Sequence, residues 1–228
     1  MGRMKSSFRR FKFVGLGFVL GIVVLILQII FEIPDAAVRK GFFIGAPIVI
    51  IGAMIINMVW QINFQKKARK LFDLLKKDNK PDLFIKENEK LLNQVRSPYN
   101  IAFISINLSV GYAEMKDYEK ALEVLEQVPL KGLKGINKIV YYANQAYYYF
   151  MLGDQDSALT IIEAYQSAFK EFEEHQSLGK HIKLNQVFYL SAKDQIEEAE
   201  ALLASLKKTE TDKGFLKTLE EIELREWV

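Results

Sequence analysis

The chain contains no cysteine in its 228 residues. Disulfides, zinc–thiolate sites and cysteine nucleophiles are therefore excluded, and a reducing compartment is compatible with the composition. Histidine is nearly absent. His175 and His181 are the only two, and six residues is a poor spacing for two ligands on one helix face. No metal site is expected from them. The sequence also lacks a phosphate-cradling glycine loop, an HExxH pair and a GxSxG elbow. An enzyme is accordingly not the expected class, and no cofactor is expected. Glu171, Glu173 and Glu174 read as a solvated charge run, and PLKGLKG, with Gly132 and Gly135, as a connector.

Charge is missing where it matters most. No Asp, Glu, Lys or Arg lies in 13–31, FVGLGFVLGIVVLILQIIF, and none lies between Lys40 and Lys66, where GFFIGAPIVIIGAMIINMVW is the apolar body. Each run is long enough to cross a bilayer as a helix. Backbone groups in hydrocarbon must bond internally, so each span would have to be helical. A signal peptide has a shorter apolar region, and here a second run follows at once. The reading is a transmembrane hairpin over 13–62, with spans at 13–31 and 42–60. A basic tail, 1–12, precedes it and a helical domain, 63–228, follows. Pro47 is expected to kink the second span or mark its first turn.

The remaining charge is lopsided. Residues 1–80 hold 14 Lys and Arg against 4 Asp and Glu, whereas the rest hold 17 against 24. The basic residues cluster as Arg3, Lys5, Arg9, Arg10 and Lys12 before the first run and Lys66, Lys67, Arg69, Lys70, Lys76 and Lys77 after the second. The connector EIPDAAVRK is balanced. The positive-inside rule then puts both termini in the cytoplasm of a multi-pass protein of the cell membrane, with a bacterial setting expected. The larger domain is acidic, which argues against nucleic acid. No ionisable group sits inside either run, so a proton or ion path is unsupported. Gly17 with Gly21, and Gly41 with Gly45, form GxxxG pairs. Such pairs let helix backbones approach, either within the hairpin or in a homo-oligomer.

Beyond Pro81 the apolar period is helical, and three segments repeat. NLSVGYAEMKDYEKALEVLEQV, NQAYYYFMLGDQDSALTIIEAY and NQVFYLSAKDQIEEAEALLASL all begin with Asn and have equal length. Ala121, Ala158 and Ala199 take one place in them, and Leu125, Ile162 and Leu203 follow four residues later. Residues 62–96 read as a further helix pair whose first helix continues directly from the second span. FLKTLEEIELREWV reads as a helix covering the end of the stack.

These segments resemble the tetratricopeptide repeat family, whose unit is a pair of antiparallel helices. Tyr112 and Tyr149 match its first-helix aromatic position. Asp117-Tyr118 and Gly153-Asp154 match its turn, and the three alanines match its close helix crossing. The family's first-helix Trp is replaced by Ser105, Tyr142 and Lys183, and the third turn departs from the pattern. The resemblance implies an all-α solenoid with a concave groove. Asn107, Asn144 and Asn185 would then form a ladder bonding the main chain of an extended peptide, since a carboxamide both donates and accepts. Phe103, Val110, Tyr147, Phe150 and Phe188 would give the groove an apolar floor. The expected function is a membrane-tethered scaffold or adaptor for a protein or peptide partner. The alternative is an accessory subunit of a membrane transport, secretion or envelope-building complex.

Overall fold

The computed structural model describes residues 33–223, with Ile22, Ile26 and 28–31 before them. These residues are all-α. The chain divides into two compact units, Met1–Phe64 and Gln65–Val228.

The first unit is dominated by helix α1, Asp35–Lys76, which is 42 residues long and also supplies the first turns of the second unit. Asp35 in its first turn complements the positive helix N-terminus and accepts a hydrogen bond from Gln28 Nε2. The expected connector therefore shrinks: Asp35 to Lys40 are already helical. Pro47 lies in the helix interior, not in its first turn. The helix runs on past it through the second expected span and into the basic segment, as the uncharged run followed by KKARK suggested. None of the apolar stretch is buried in the protein. Phe43 is 75% exposed and Val49 71%. A Cβ built on Gly41 or Gly45 would meet nothing within 4 Å. Among the described residues this is one helix long and apolar enough to cross a membrane. The first expected span, 13–31, falls mostly outside the described residues, as do Gly17 and Gly21, so a two-helix hairpin is not established.

The second unit is a stack of consecutive helices. After the end of α1 come α2 (Pro81–Gln94), α3 (Pro98–Glu114), α4 (Tyr118–Glu126), α5 (Ile136–Leu152), α6 (Gln155–Glu171), α7 (Gly179–Ala192), α8 (Ile196–Thr209) and α9 (Lys213–Glu223). Pro81 and Pro98 open their helices, where a missing N–H costs nothing. Asp117 and Asp154 cap α4 and α6, accepting from Lys120 N at 3.0 Å and Ser157 N at 3.1 Å. Neighbours in sequence pack on one another, and α3 also packs on α5 and α5 on α7.

One backbone device recurs. Asn79, Lys116, Gly153 and Asp194 all have positive φ, at 50°, 62°, 83° and 59°. The last three close their turns with the same pair of bonds. Lys116 N donates to Ala113 O and Asp117 N to Tyr112 O; Gly153 N donates to Phe150 O and Asp154 N to Tyr149 O; Asp194 N donates to Ser191 O and Gln195 N to Leu190 O. This left-handed closure satisfies carbonyls orphaned at a helix end. The third turn thus keeps the repeat's geometry although its residues depart from the pattern.

The helices approach closely where side chains are small. Ala121 and Ala158 are 0% exposed and Ala199 2%. Gly132, in a 3-10 turn after α4, lies so near α3 that a Cβ there would come within 2.1 Å of Pro98 O. Replacing Ala158 with Leu should overpack the α5–α6 crossing and cost about 1–3 kcal/mol. Thermal melting of the purified full chain checks this. An unchanged melt would mean that the crossing can open and that Ala158 does not set the spacing.

Candidate functional site

Tyr147, Phe150 and Phe188 are brought together across α5 and α7. Phe150 stacks on Phe188 with centroids 5.0 Å apart, and Tyr147 lies 6.1 Å from Phe188 and 6.0 Å from Tyr118. Offset and edge contacts of this kind are favoured by the ring quadrupoles. Phe103 and Val110 lie half-buried on α3. Tyr147, Phe150 and Phe188 thus form an aromatic cluster across α5 and α7.

The asparagines are placed differently from a solvated ladder. Asn107 is 3% exposed and Asn185 2%, while Asn144 is half-buried. Asn185 Nδ2 donates to Ala143 O, on α5, at 2.8 Å, so its amide pins one helix to another in the stack. Asn107 Nδ2 and Asn144 Nδ2 are buried without a hydrogen-bond partner. The position faces inward because helices α3, α5 and α7 stack side by side, and a residue flanked by core positions lies against the neighbour. A second buried polar link escaped the sequence reading. Ser109 Oγ and Tyr148 Oη lie 3.2 Å apart between α3 and α5. Burial raises the Tyr148 phenol above its ordinary value, and the bond to Ser109 opposes that shift.

The aromatic face is not open over its whole extent. Phe215, Leu219 and Ile222 of α9 are buried in one apolar cluster with Leu184, Val187 and Phe188, and Tyr147, Phe150 and Met151 pack against it. Leu219 is 0% exposed. At its start α9 is held by Lys180, which pairs with Glu210 at 3.2 Å and Asp212 at 3.1 Å and stands 4.6 Å over the Phe215 ring. Asp212 Oδ1 caps the helix, accepting from Gly214 N at 3.0 Å. The His181 ring meets Phe215 at 5.0 Å. At its other end Glu221 pairs with Lys116, in the α3–α4 turn, at 3.0 Å. The sequence reading of this segment as a helix covering the end of the stack is joined here by a second feature, the ion pair that reaches Lys116. The same cluster includes Ala199, Leu203 and Leu206, so the stripe of α9 is buried with residues of both α7 and α8 while Glu221 reaches the turn of the first repeat.

A recess of about 220 Å³ lies beside Lys180, lined by Glu174, His175, Lys183, Thr209 and Glu210 among others. Its cations are engaged, since Lys183 pairs with Glu174 at 2.8 Å. His175 Nδ1 accepts from Ser177 N and Leu178 N, both at 3.3 Å, and so shapes the link before α7.

Two expectations follow. Asn185→Ala removes the side-chain bond that ties α7 to Ala143 O, whose bond within α5 remains, and should cost about 0.5–1.5 kcal/mol, while Asn144→Ala should change stability by no more than about 0.5 kcal/mol. Equal melting drops for both would show that burial, not the bond to Ala143, governs the position. The second concerns acid. Burial raises the carboxyls of Glu210 and Asp212, but hydrogen bonds from backbone amides and from Lys180, with its charge, outweigh this and the net shift is downward. Groups with depressed folded values stabilise above their unfolded values and lose that effect as pH falls through the folded ones. Lys180→Met should therefore melt below the parent at pH 7, and the gap should close below about pH 4. Melting curves at pH 7 and pH 3 test this; a constant gap would show that Lys180 acts by packing on Phe215.

Comparison with protein-family models, with curated proteins and with solved structures finds no match.

Proposed function

We propose that the chain is a membrane-tethered interaction module of the tetratricopeptide-repeat type. The observation that carries this reading is α1: a continuous apolar helix with none of that stretch buried in the protein, followed in the same chain by a well-packed helical stack. Leaving such a surface in water is costly at roughly 25 cal/mol per Å², and a bilayer removes that cost. The repeat reading is supported by the left-handed turn recurring at Lys116, Gly153 and Asp194 with matching hydrogen bonds. In this proposal α1 spans the membrane, the run at 13–31 forms a second span, and both termini are cytoplasmic. The stack gathers a protein partner at the bilayer surface. Confinement to one surface raises effective concentration, so a weak partner face suffices.

Two measurements on the full chain test the proposal. It should stay with membranes after an alkaline carbonate wash; release into the supernatant would remove the anchor. A reporter active only in the cytoplasm should work when fused after Val228 and fail when inserted at Pro34. The opposite pattern would place the stack outside the cell. The partner face is tested by a photoreactive group in place of Phe103 and, as control, Lys170. A partner crosslinked through both positions alike would argue against a specific face.

A further inference from the structure

Helix α9 behaves as a bound ligand would. It follows a short link, Glu210 to Asp212, and its closest backbone packing is with α8. Among the described residues its attachments are an apolar stripe, Phe215–Leu219–Ile222, the pairs of Lys180 with Glu210 and Asp212 and its ring contact with Phe215 at one end, and the Lys116–Glu221 pair at the other. The stripe has the i, i+4, i+7 spacing of an amphipathic helix laid in a groove. Its outer face is charged and wet, with Lys217 and Glu220 exposed. The far ion pair, Lys116 with Glu221, has side chains 64% and 40% exposed, and exposed pairs contribute little. The stripe is buried with Leu184, Val187 and Phe188 of α7 and Ala199, Leu203 and Leu206 of α8, and Tyr147 and Phe150 pack against the same cluster, so it meets one end of the aromatic face read above as a partner site.

We infer that α9 is an intramolecular stand-in for the partner, and that the partner is an amphipathic helix carrying an aromatic residue, two aliphatic residues at i+4 and i+7, and a carboxylate at i+6 that takes Lys116. Partner binding and α9 docking exclude each other, so the free chain is self-occupied and a partner is admitted when α9 leaves. An extended peptide is the wrong ligand for this face. The amides that would bond its main chain are turned into the stack, Asn185 being engaged with Ala143 O, whereas the apolar pocketing suits alternate turns of a helix. The inference rests on the reading of this face as a partner site and states how that site is regulated.

The absence of cysteine allows a direct test on the full chain in detergent micelles. Lys116→Cys with Glu221→Cys is joined by a cleavable bismaleimide linker, which holds α9 down. The probe is a fluorescent peptide with the sequence of residues 210–223, read by anisotropy. The linked chain should not bind it, and the same chain after linker cleavage should. Phe215→Ser with Leu219→Ser, which frees the face, should bind at least about tenfold more tightly than the parent. Equal binding by linked and cleaved chains would place the peptide elsewhere, and no binding by either would make α9 a fixed part of the fold; both overturn the inference. If the double Ser variant fails to fold, the linked-against-cleaved comparison decides, because it uses one chain. A further arm separates helix docking from stickiness: with Phe215→Ser and Leu219→Ser present, so that α9 does not compete, Lys116→Glu should weaken the peptide, and a peptide with Glu221→Lys should restore it. Loss of peptide exchange would leave membrane retention and the Phe103 crosslink untouched, so its failure is distinguishable from failure of the membrane-module reading.

Discussion

Close approach at small residues is the constraint on which the stack depends. Ala121, Ala158 and Ala199 are sealed at three helix crossings, and nothing larger leaves the helix axes near enough for Leu125, Ile162 and Leu203 to be buried beside them. Interiors are packed to crystal density, so a few ångströms of separation would forfeit much of that contact. The turns serve the same end. A left-handed residue between two helices reverses the chain in few residues and leaves no carbonyl stranded. Because the reversal repeats, each pair presents the same face to the next, and α3, α5 and α7 come to lie side by side.

That side-by-side arrangement decides the fate of the polar residues. An asparagine between core positions is drawn inward with its neighbours. There it must either bond or remain unsatisfied. Asn185 finds the Ala143 carbonyl, and Ser109 finds Tyr148 across the α3–α5 contact. Such links add specificity between helices whose apolar surfaces alone would slide. Of the aromatic residues one turn away, Phe188 joins the apolar cluster that takes in the stripe of α9, and Tyr147 packs against it.

The two halves of the chain solve the same hydrophobic problem in opposite ways. In the stack every apolar stripe is met by another helix, down to α9, whose Leu219 is wholly covered. In the uncharged stretch of α1 the apolar side chains are exposed on all sides, with no stripe for a single neighbour to cover. A helix apolar all round belongs in a dry core or in lipid, and within the described residues no core encloses it.

Much of this was legible in the residues. An uncharged run of bilayer length ending in KKARK required a long helix, because length and charge act locally and need no partner. The helix pairs, their turns and the crossing alanines were legible because the 3.6-residue period and the repeat spacing are properties of the chain itself. The start of α1 at Asp35 was not, since EIPDAAVRK carries turn and helix signals together. The inward direction of Asn107 and Asn185 was not legible either: a side chain's face depends on the angle at which α3, α5 and α7 stack, and equivalent positions in a pattern do not state that angle. Nor was the course of α9. Its amphipathic spacing announced a helix needing cover, but a stripe of Phe, Leu and Ile fits any apolar surface within reach. Only the tertiary structure, through Lys180 at one end and Lys116 at the other, decided that the cover is the apolar cluster of α7 and α8 in its own chain.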